Sequence, residues 1–315
     1  MKPQLDHIPP NWIRLSPEVQ TAREASGPIV ALESTVITHG LPRPVNLELA
    51  RRLEGIVREA GATPATVAVL GGELCIGLDD ESLERLALDQ DAIKASRREL
   101  AWAHTRRLCA GTTVAATMAL ADLVGIRVFA TGGIGGVHRG GTGDVSADLP
   151  ELTRSPLAVV CAGAKSILDL PRTLEWLETA SVPVIGWQTE EFPAFFSRES
   201  GLPVSFKVDT VGELAQLLLT HWQISPHTAA LVCVPCPAEE ALEQGEIHDA
   251  LERAEAEAAQ QGISGQALTP FLLTRLSELT GGATLGANLA LLRHNAHIAA
   301  ELAKALSQQA LPDTT

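Results

Sequence analysis

The segment from Leu157 to Lys165 constrains the fold more than any other part of this chain, because it is a continuous apolar run that ends in a single lysine. An apolar run without polar alternation is typical of a parallel strand that is buried on both faces. Lysine is seldom buried without a chemical reason, and open α/β sheets bind ligands at the carboxyl ends of their strands. The run therefore predicts a parallel sheet with Lys165 at its functional edge, where a desolvated amine could attack a carbonyl carbon.

Strand-like and helix-like segments alternate along most of the chain. Apolar runs at 29–35 and 65–70 flank an amphipathic segment at 45–60, and the same alternation continues to an apolar run at 229–234. Helical patterns at 247–261, 270–279 and 285–306 complete the chain. This order predicts an α/β fold with three layers, α/β/α, around a mostly parallel or mixed central sheet.

The same patterns suggest one catalytic domain with short additions at both ends. Residues 1–27 are polar and contain prolines, which predicts an N-terminal extension. Residues 28–307 contain no repeat and no low-complexity linker, and we expect them to form a single domain. Residues 308–315 are expected to be a C-terminal tail.

Charge and composition exclude several classes of function. The 315-residue chain carries a formal charge of −14, which argues against a nucleic-acid partner. It leaves room for an anionic small molecule, because a few cations and helix N-termini suffice to bind one phosphate. No apolar run approaches the length of a membrane span, the first residues contain no apolar secretion signal, and the five cysteines are odd in number. We therefore expect a cytoplasmic protein without a membrane partner.

Two charged residues near strand and helix ends are candidates for chemistry. Glu33 ends an apolar strand and is either a catalytic acid or a solvated edge residue. Lys94 precedes a helix that opens with Ser96 and Glu99, which is a capping-box pattern. It is either an anion ligand at that helix start or a surface lysine.

The glycine-rich segment at 131–141 is not a dinucleotide-binding fingerprint, because its third glycine is missing. Asp144 and Asp148 follow it, and they either cap turns or hold a hard divalent cation. His138 is either a loop hydrogen-bonding residue or a ligand. Cys233 and Cys236 form a Cys-x-x-Cys pair that is either redox-active or two loop cysteines.

These segments together resemble the pseudouridine-5′-phosphate glycosidase family, which includes indigoidine-synthase-A-like proteins. The resemblance spans residues 29–305 and departs from the family pattern at 186–189, where Gly-Trp-Gln-Thr stands for Gly-Tyr-Gly-Thr, and slightly at 282–288. We expect these departures to affect contacts to the base more than contacts to the sugar phosphate. The motifs that carry the resemblance are LEST at 32–35, HGLP at 39–42, GTTVAATM at 111–118, FATGGIGGVHR at 129–139, DVSADL at 144–149, CAGAKS at 161–166, EEFPAF at 190–195 and NLAL at 288–291.

The resemblance implies cleavage of the C1′–C5 bond of pseudouridine 5′-phosphate into uracil and ribose 5-phosphate. It assigns Lys165 as the nucleophile that forms a covalent imine with the sugar, Glu33 as the proton donor and Asp144 as the ligand of a manganese ion. It also implies a homotrimer. The residues that it assigns to the substrate are Lys94, Val114, Ser146, Ala147 and Asp148, with Thr131, His138 and Asn288 as further contacts.

Two other functions remain open at this point. One is a related lyase or glycosidase that acts on another phosphorylated sugar, as in an indigoidine-type pigment pathway. The other is a non-catalytic protein that binds sugar phosphates. A dinucleotide-binding oxidoreductase is the least favoured, because the glycine spacing does not fit.

Overall fold

The computed structural model describes residues 8–139, 143–263, 265 and 268–309. Within these residues, eleven strands form a single mixed sheet. Helices pack around this sheet, as the alternation in the sequence predicts, and the α/β class is confirmed. The strands are β1 (Ile13–Leu15), β2 (Ile29–Leu32), β3 (Thr63–Leu70), β4 (Glu73–Ile76), β5 (Ile93–Ala95), β6 (Ala110–Thr112), β7 (Val128–Ala130), β8 (Ala158–Cys161), β9 (Val184–Trp187), β10 (Phe206–Val208) and β11 (Ala230–Cys233).

The main path through the sheet runs β1-β4-β3-β2-β7-β8-β11-β9-β10. Strands β2, β7 and β8 lie side by side and parallel, so their carboxyl ends meet at one edge. Only the pairs that β3 makes with β4 and with β6 are antiparallel among the described strands. The sequence therefore predicted the parallel centre of the sheet correctly, and the antiparallel pairs lie to one side of it.

Strand β3 is a branch point of the sheet. Its first half, Thr63 to Thr66, pairs with β2, while Ala68 and Val69 pair with β6. Strand β5 is attached to the sheet through β6, which it pairs with in parallel. This branch brings the end of β5 close to the end of β2.

The α-helices of the described residues surround the sheet, and the longest one, α11, contacts β2, β7 and β8 as well as α2 and α8. Helix α2 buries Leu49, Leu53 and Val57, which recur at the spacing of one helical face. The helices are α1 (Pro17–Glu24), α2 (Val45–Glu59), α3 (Asp80–Leu88), α4 (Arg97–Thr105), α5 (Val114–Leu123), α6 (Asp148–Leu152), α7 (Leu170–Thr179), α8 (Val211–Ile224), α9 (Gln244–Gln260), α10 (Leu268–Leu279) and α11 (Ala283–Gln309).

The N-terminal segment is part of the sheet, which differs from the expected polar extension. Strand β1 pairs in parallel with β4, and Val19 of α1 is fully buried. Arg23 adds a hydrogen bond from its Nε to the Val124 carbonyl at 3.0 Å. Three strand residues and one buried helix residue give too little apolar periodicity to be recognised in the sequence.

At the other end, α11 extends to Gln309, two residues into the expected tail, and residues 310–315 lie outside the described part of the chain. Among the helices that can be described, none is both long enough and apolar enough to cross a bilayer.

Candidate active site

A cavity of about 640 Å³ opens at the carboxyl ends of β2, β7 and β8 and beside β5. Every residue that the sequence assigns to the site lines it, except Thr131, whose hydroxyl reaches Glu33 by a hydrogen bond. Parallel strand ends are where open α/β sheets bind ligands, and the sequence argument placed Lys165 and Glu33 there for that reason. The predicted residues thus lie together, although their roles stay predictions.

Glu33 follows the last residue of β2 and carries an unusual charge environment. Burial raises the pKa of its carboxyl above the ordinary value, and the charge of Lys165 is the largest influence that opposes this shift. The Thr131 hydroxyl donates a hydrogen bond to Glu33 Oε1 and also lowers the pKa, while the nearby Asp148 raises it. The net effect favours a protonated Glu33, which is the state that a proton donor needs.

Lys165 lies on the loop after β8, and this loop is bonded to the loop after β7. The Ile134 N–H donates to the Gly163 carbonyl, and the Lys165 N–H donates to the Ile134 carbonyl, both at 3.0 Å. Gly163 has φ +81°, and a Cβ there would lie 2.3 Å from the Pro193 carbonyl oxygen. Glycine is therefore required two residues before the lysine. The Lys165 side chain is partly buried and lines the same cavity as Glu33.

Lys94 is the middle residue of β5, and its partly buried amine lies close to the charged groups of Lys165, Asp148 and Glu33. Burial and the positive charge of Lys165 lower the pKa of Lys94, while Asp148 and Glu33 act in the opposite direction. The N–H of Ser96 donates to Glu99 Oε2 at 3.0 Å, as the capping pattern at the start of α4 predicts. Lys94 thus lies beside a helix N-terminus, where an anion is stabilised.

Asp148 joins two backbone segments of the site. Its Oδ1 accepts from the Ala115 N–H at 3.0 Å, and its Oδ2 accepts from the Gly135 N–H at 2.8 Å. A Cβ at Gly135 would lie 2.2 Å from Ser146 Oγ and 2.8 Å from Asp148 Oδ2, so only glycine allows this approach. The buried carboxylate therefore fixes the glycine-rich loop against the start of α5. Val114, the first residue of α5, lines the cavity there.

The loop before α6 presents Asp144, Ser146 and Ala147 to the cavity. Asp144 is exposed, and its backbone carbonyl accepts from the His138 N–H at 2.9 Å. In the described part of the chain, no group of three or more histidine, cysteine, aspartate or glutamate side chains is arranged around a common metal position. One exposed carboxylate suits a hard cation that keeps most of its water, and it does not suit a closed protein site. Gly140 and Gly141 of the predicted loop lie outside the described residues.

The remaining predicted contacts lie on other walls of the cavity. His138 projects from the loop after β7, and Asn288 lies on α11. The Asn288 Oδ1 atom lies 3.5 Å from the point where a Cβ at Gly132 would be. The long helix thus contributes to the site from outside the strand ends.

His39 and Phe195 are among the cavity residues that were not predicted as site residues, although both belong to quoted motifs. His39 lies in the last turn of a π-helix at Val36–Gly40, a conformation found often at functional sites. Its Nδ1 bonds to Thr38 Oγ1 at 2.7 Å, and burial and Lys94 lower its pKa. Phe195 has φ +66°, which is rare for a bulky residue, and its ring lines the cavity. The motifs HGLP and EEFPAF, which contain these two residues, were the sequence features from which their place in the site could have been predicted.

The departure from the family pattern at Trp187 and Gln188 lies elsewhere in the sheet. Trp187 is buried at the end of β9, and the Gln188 N–H donates to the Val208 carbonyl at 2.8 Å. Neither residue is among the described residues that line the cavity. The expectation that this change alters contacts to the base is therefore not supported by its position.

The Cys-x-x-Cys pair lies in the core. All five cysteines fall within the described residues and are free thiols. Cys233 and Cys236 are fully buried, and burial raises the pKa of Cys236 to about 11. A reactive thiol needs exposure and a lowered pKa, so these two cysteines act as core residues.

Comparison with known proteins shows that the chain is similar to the members of one protein family. Residues 18–305 match the family model described as indigoidine synthase A like protein. A pseudouridine-5′-phosphate glycosidase of Caldanaerobacter subterraneus subsp. tengcongensis is 52% identical over 299 residues, which cover 94% of this chain and 97% of the relative. One from Geobacillus kaustophilus is 50% identical over 299 residues, with 94% and 99% covered.

Two solved structures share the fold. The prealnumycin C-glycosynthase AlnA in complex with ribulose 5-phosphate superimposes with a TM-score of 0.88 at 38% identity, covering 95% of this chain and 98% of that one. An indigoidine synthase A-like protein from Thermotoga maritima gives a TM-score of 0.86 at 39% identity, with 94% and 96% covered.

Proposed function

The chain belongs to the indigoidine synthase A-like family, and on that premise we propose that it is a pseudouridine-5′-phosphate glycosidase. It cleaves the C1′–C5 bond of pseudouridine 5′-phosphate and releases uracil and ribose 5-phosphate. The observation that carries this proposal is the pairing of an acid and an amine at adjoining strand ends. Burial favours protonated Glu33, and Lys165 lines the same cavity.

The chemistry must break a carbon–carbon bond, so it needs an electron sink on the sugar and a proton for the base. The Lys165 amine attacks C1′ as the C1′–O4′ bond breaks, and the proton lost by the amine goes to O4′. Glu33 then protonates C5 of the uracil ring, and the C1′–C5 bond breaks as the nitrogen lone pair forms an iminium at C1′. Water hydrolyses the iminium, which gives ribose 5-phosphate and the free lysine, and the water's remaining proton returns to Glu33. The net reaction consumes one water molecule as the C1′–C5 bond is cleaved, so the terms hydrolase and lyase both refer to this cleavage.

The cations and helix starts on one side of the cavity suit the 5′-phosphate. Lys94 supplies a charge beside the start of α4, and the backbone N–H of Val114 has no partner within α5 because it opens that helix. Ser146, Ala147 and Asp148 complete this side. We assign Thr131, His138 and Asn288 to the sugar hydroxyls and the base.

Asp144 would hold one Mn²⁺ per subunit, with water in most of the other coordination positions. The bound ion would supply positive charge to offset the charge of the phosphorylated substrate. A homotrimer and a cytoplasmic location belong to the same proposal, and free cysteines fit a reducing compartment.

The decisive experiment is incubation with pseudouridine 5′-phosphate and Mn²⁺, with free uracil measured by chromatography. Borohydride added with ribose 5-phosphate should trap the iminium, and peptide mass mapping should find the adduct at Lys165. Lys165→Arg keeps the cation near Glu33 and should give no adduct and no turnover. Lys94→Met should keep the adduct and lose affinity for the phosphate. An adduct mapped to Lys94 would contradict the assignment of the nucleophile.

A related activity on another phosphorylated sugar is the second candidate, because a C-glycosynthase bound to ribulose 5-phosphate shares the fold. A panel of C-nucleotides and pentose phosphates separates the two candidates. Binding of ribose 5-phosphate without turnover of any panel member, at saturating Mn²⁺, would instead support a non-catalytic sugar-phosphate-binding protein.

A further inference from the structure

Asn295 is a fully buried polar residue on α11 that lines no part of the cavity described above. Its Nδ2 donates to the Thr131 carbonyl at 2.8 Å and lies 3.4 Å from the Gly132 carbonyl. Its Oδ1 has no partner among the described residues. A buried amide with an unpaired oxygen costs stability relative to an apolar side chain of the same shape, so its presence needs an explanation.

The position of Thr131 supplies that explanation. Thr131 is the first residue after β7, and its N–H donates to the Val160 carbonyl of β8 at 3.0 Å. Its hydroxyl donates to the Glu33 carboxylate across the adjoining end of β2. Asn295 therefore anchors the carbonyl of the residue whose side chain holds the acid.

We propose that Asn295 is a positioning residue that acts through Thr131 to set the protonation of Glu33. This inference rests on the proposed role of Glu33 as the proton donor. The order of contacts is Asn295 on the helix, Thr131 at the end of β7 and Glu33 at the end of β2. A change at Asn295 reaches the acid without touching the substrate.

The expected direction of the change in the pKa of Glu33 follows from the hydrogen bond that the Thr131 hydroxyl donates to Glu33. A hydrogen bond to a carboxylate favours its ionised form, so losing it raises the pKa of Glu33. The other charged groups that act on Glu33 are Lys165 after β8, Lys94 on β5 and Asp148 on α6, and none of them contacts Asn295 through the described hydrogen bonds. Their contributions should stay unchanged when Asn295 is replaced.

The test is the pH profile of kcat/KM for Asn295→Leu, which keeps the side-chain volume and removes the donor. The alkaline limb, where Glu33 loses its proton, should move up by about half to one pH unit. Thr131→Val should shift it in the same direction. Leu302→Ala, a buried change on the same helix, should lower the melting temperature and leave the limb in place.

An unmoved limb in Asn295→Leu, with a moved limb in Thr131→Val, would overturn the proposal. If Asn295→Leu does not fold, Asn295→Ala, which also removes the donor, is measured by the same criterion. A carbon-13 NMR titration of the Glu33 carboxyl, assigned by its loss in Glu33→Gln, reports the same shift without turnover. If the proposed function is wrong, the parent protein will release no uracil from pseudouridine 5′-phosphate. If only this inference is wrong, the parent protein will be active and the Glu33 titration will be the same in Asn295→Leu as in the parent.

Discussion

Two aspartates four residues apart should respond very differently to the same amide substitution. Asp148 is buried, and its two oxygens accept backbone N–H groups from Ala115 and Gly135. Asp148 is the first residue of α6, and Asp144 is exposed on the loop that precedes this helix. In Asp148→Asn the amide keeps one acceptor and turns an NH₂ group toward a backbone N–H that has lost its partner.

The magnitude follows from these contacts. One hydrogen bond to a charged acceptor contributes about 1.5–3 kcal/mol, and the buried N–H that is left without a partner adds to the loss. We expect Asp148→Asn to reduce the free energy of unfolding by about 3 kcal/mol. An exposed substitution such as Asp144→Asn should change it by about 0.5 kcal/mol or less.

Urea unfolding followed by circular dichroism measures both variants under the same conditions. The midpoint should fall in Asp148→Asn with an unchanged slope, since the surface exposed on unfolding is the same. Asp144→Asn should keep the parent midpoint and lose the dependence of activity on Mn²⁺. The reasoning is refuted if the two variants have the same midpoint.

Three further predictions test other parts of the structure. Gln188 has φ +54°, so Gln188→Gly should raise the free energy of unfolding by about 0.5–1 kcal/mol, and a lower urea midpoint would contradict the strain. Burial raises the pKa of Glu54, so the native state keeps this proton to a higher pH than the unfolded chain and loses stability as pH rises past the ordinary value of 4.5. Relative to Glu54→Gln, the parent should be more stable at about pH 4 than at about pH 7, and a constant difference in urea midpoint would exclude this linkage. Gly135→Ala should reduce kcat/KM by about tenfold or more by displacing Ser146 and Asp148, and a parent-like rate in the uracil assay would show that the loop tolerates a Cβ.

Long apolar runs allowed the centre of the fold to be predicted, because burial on both faces leaves a clear pattern. The strands at 29–32, 158–161 and 230–233 lie within the predicted runs, each shorter than its run. The ends of these runs placed Glu33 and Lys165 at one edge. The resemblance then supplied the residues on the loops, which periodicity alone does not identify.

The short elements between residues 73 and 112 could not be predicted in the same way. Strands β5 and β6 have three residues each and depend on pairing with distant segments. Lys94 was expected just ahead of a helix, and the structure adds that it lies within one of these strands. The contacts of Asn295 could not be predicted, because a single polar residue on a helical face does not reveal which backbone carbonyls it will bond to.

The branching of the sheet at β3 separates the site into two parts that have different origins in the chain. The acid and the amine extend from β2 and β8, which belong to the continuous parallel core. Lys94 extends from β5, which reaches the core through β6, whose Thr112 Oγ1 donates to the Val67 carbonyl of β3 at 2.7 Å. The segment that carries Lys94, for which we propose phosphate binding, can therefore change during evolution while the proposed catalytic pair, Glu33 and Lys165, keeps its position on the parallel core.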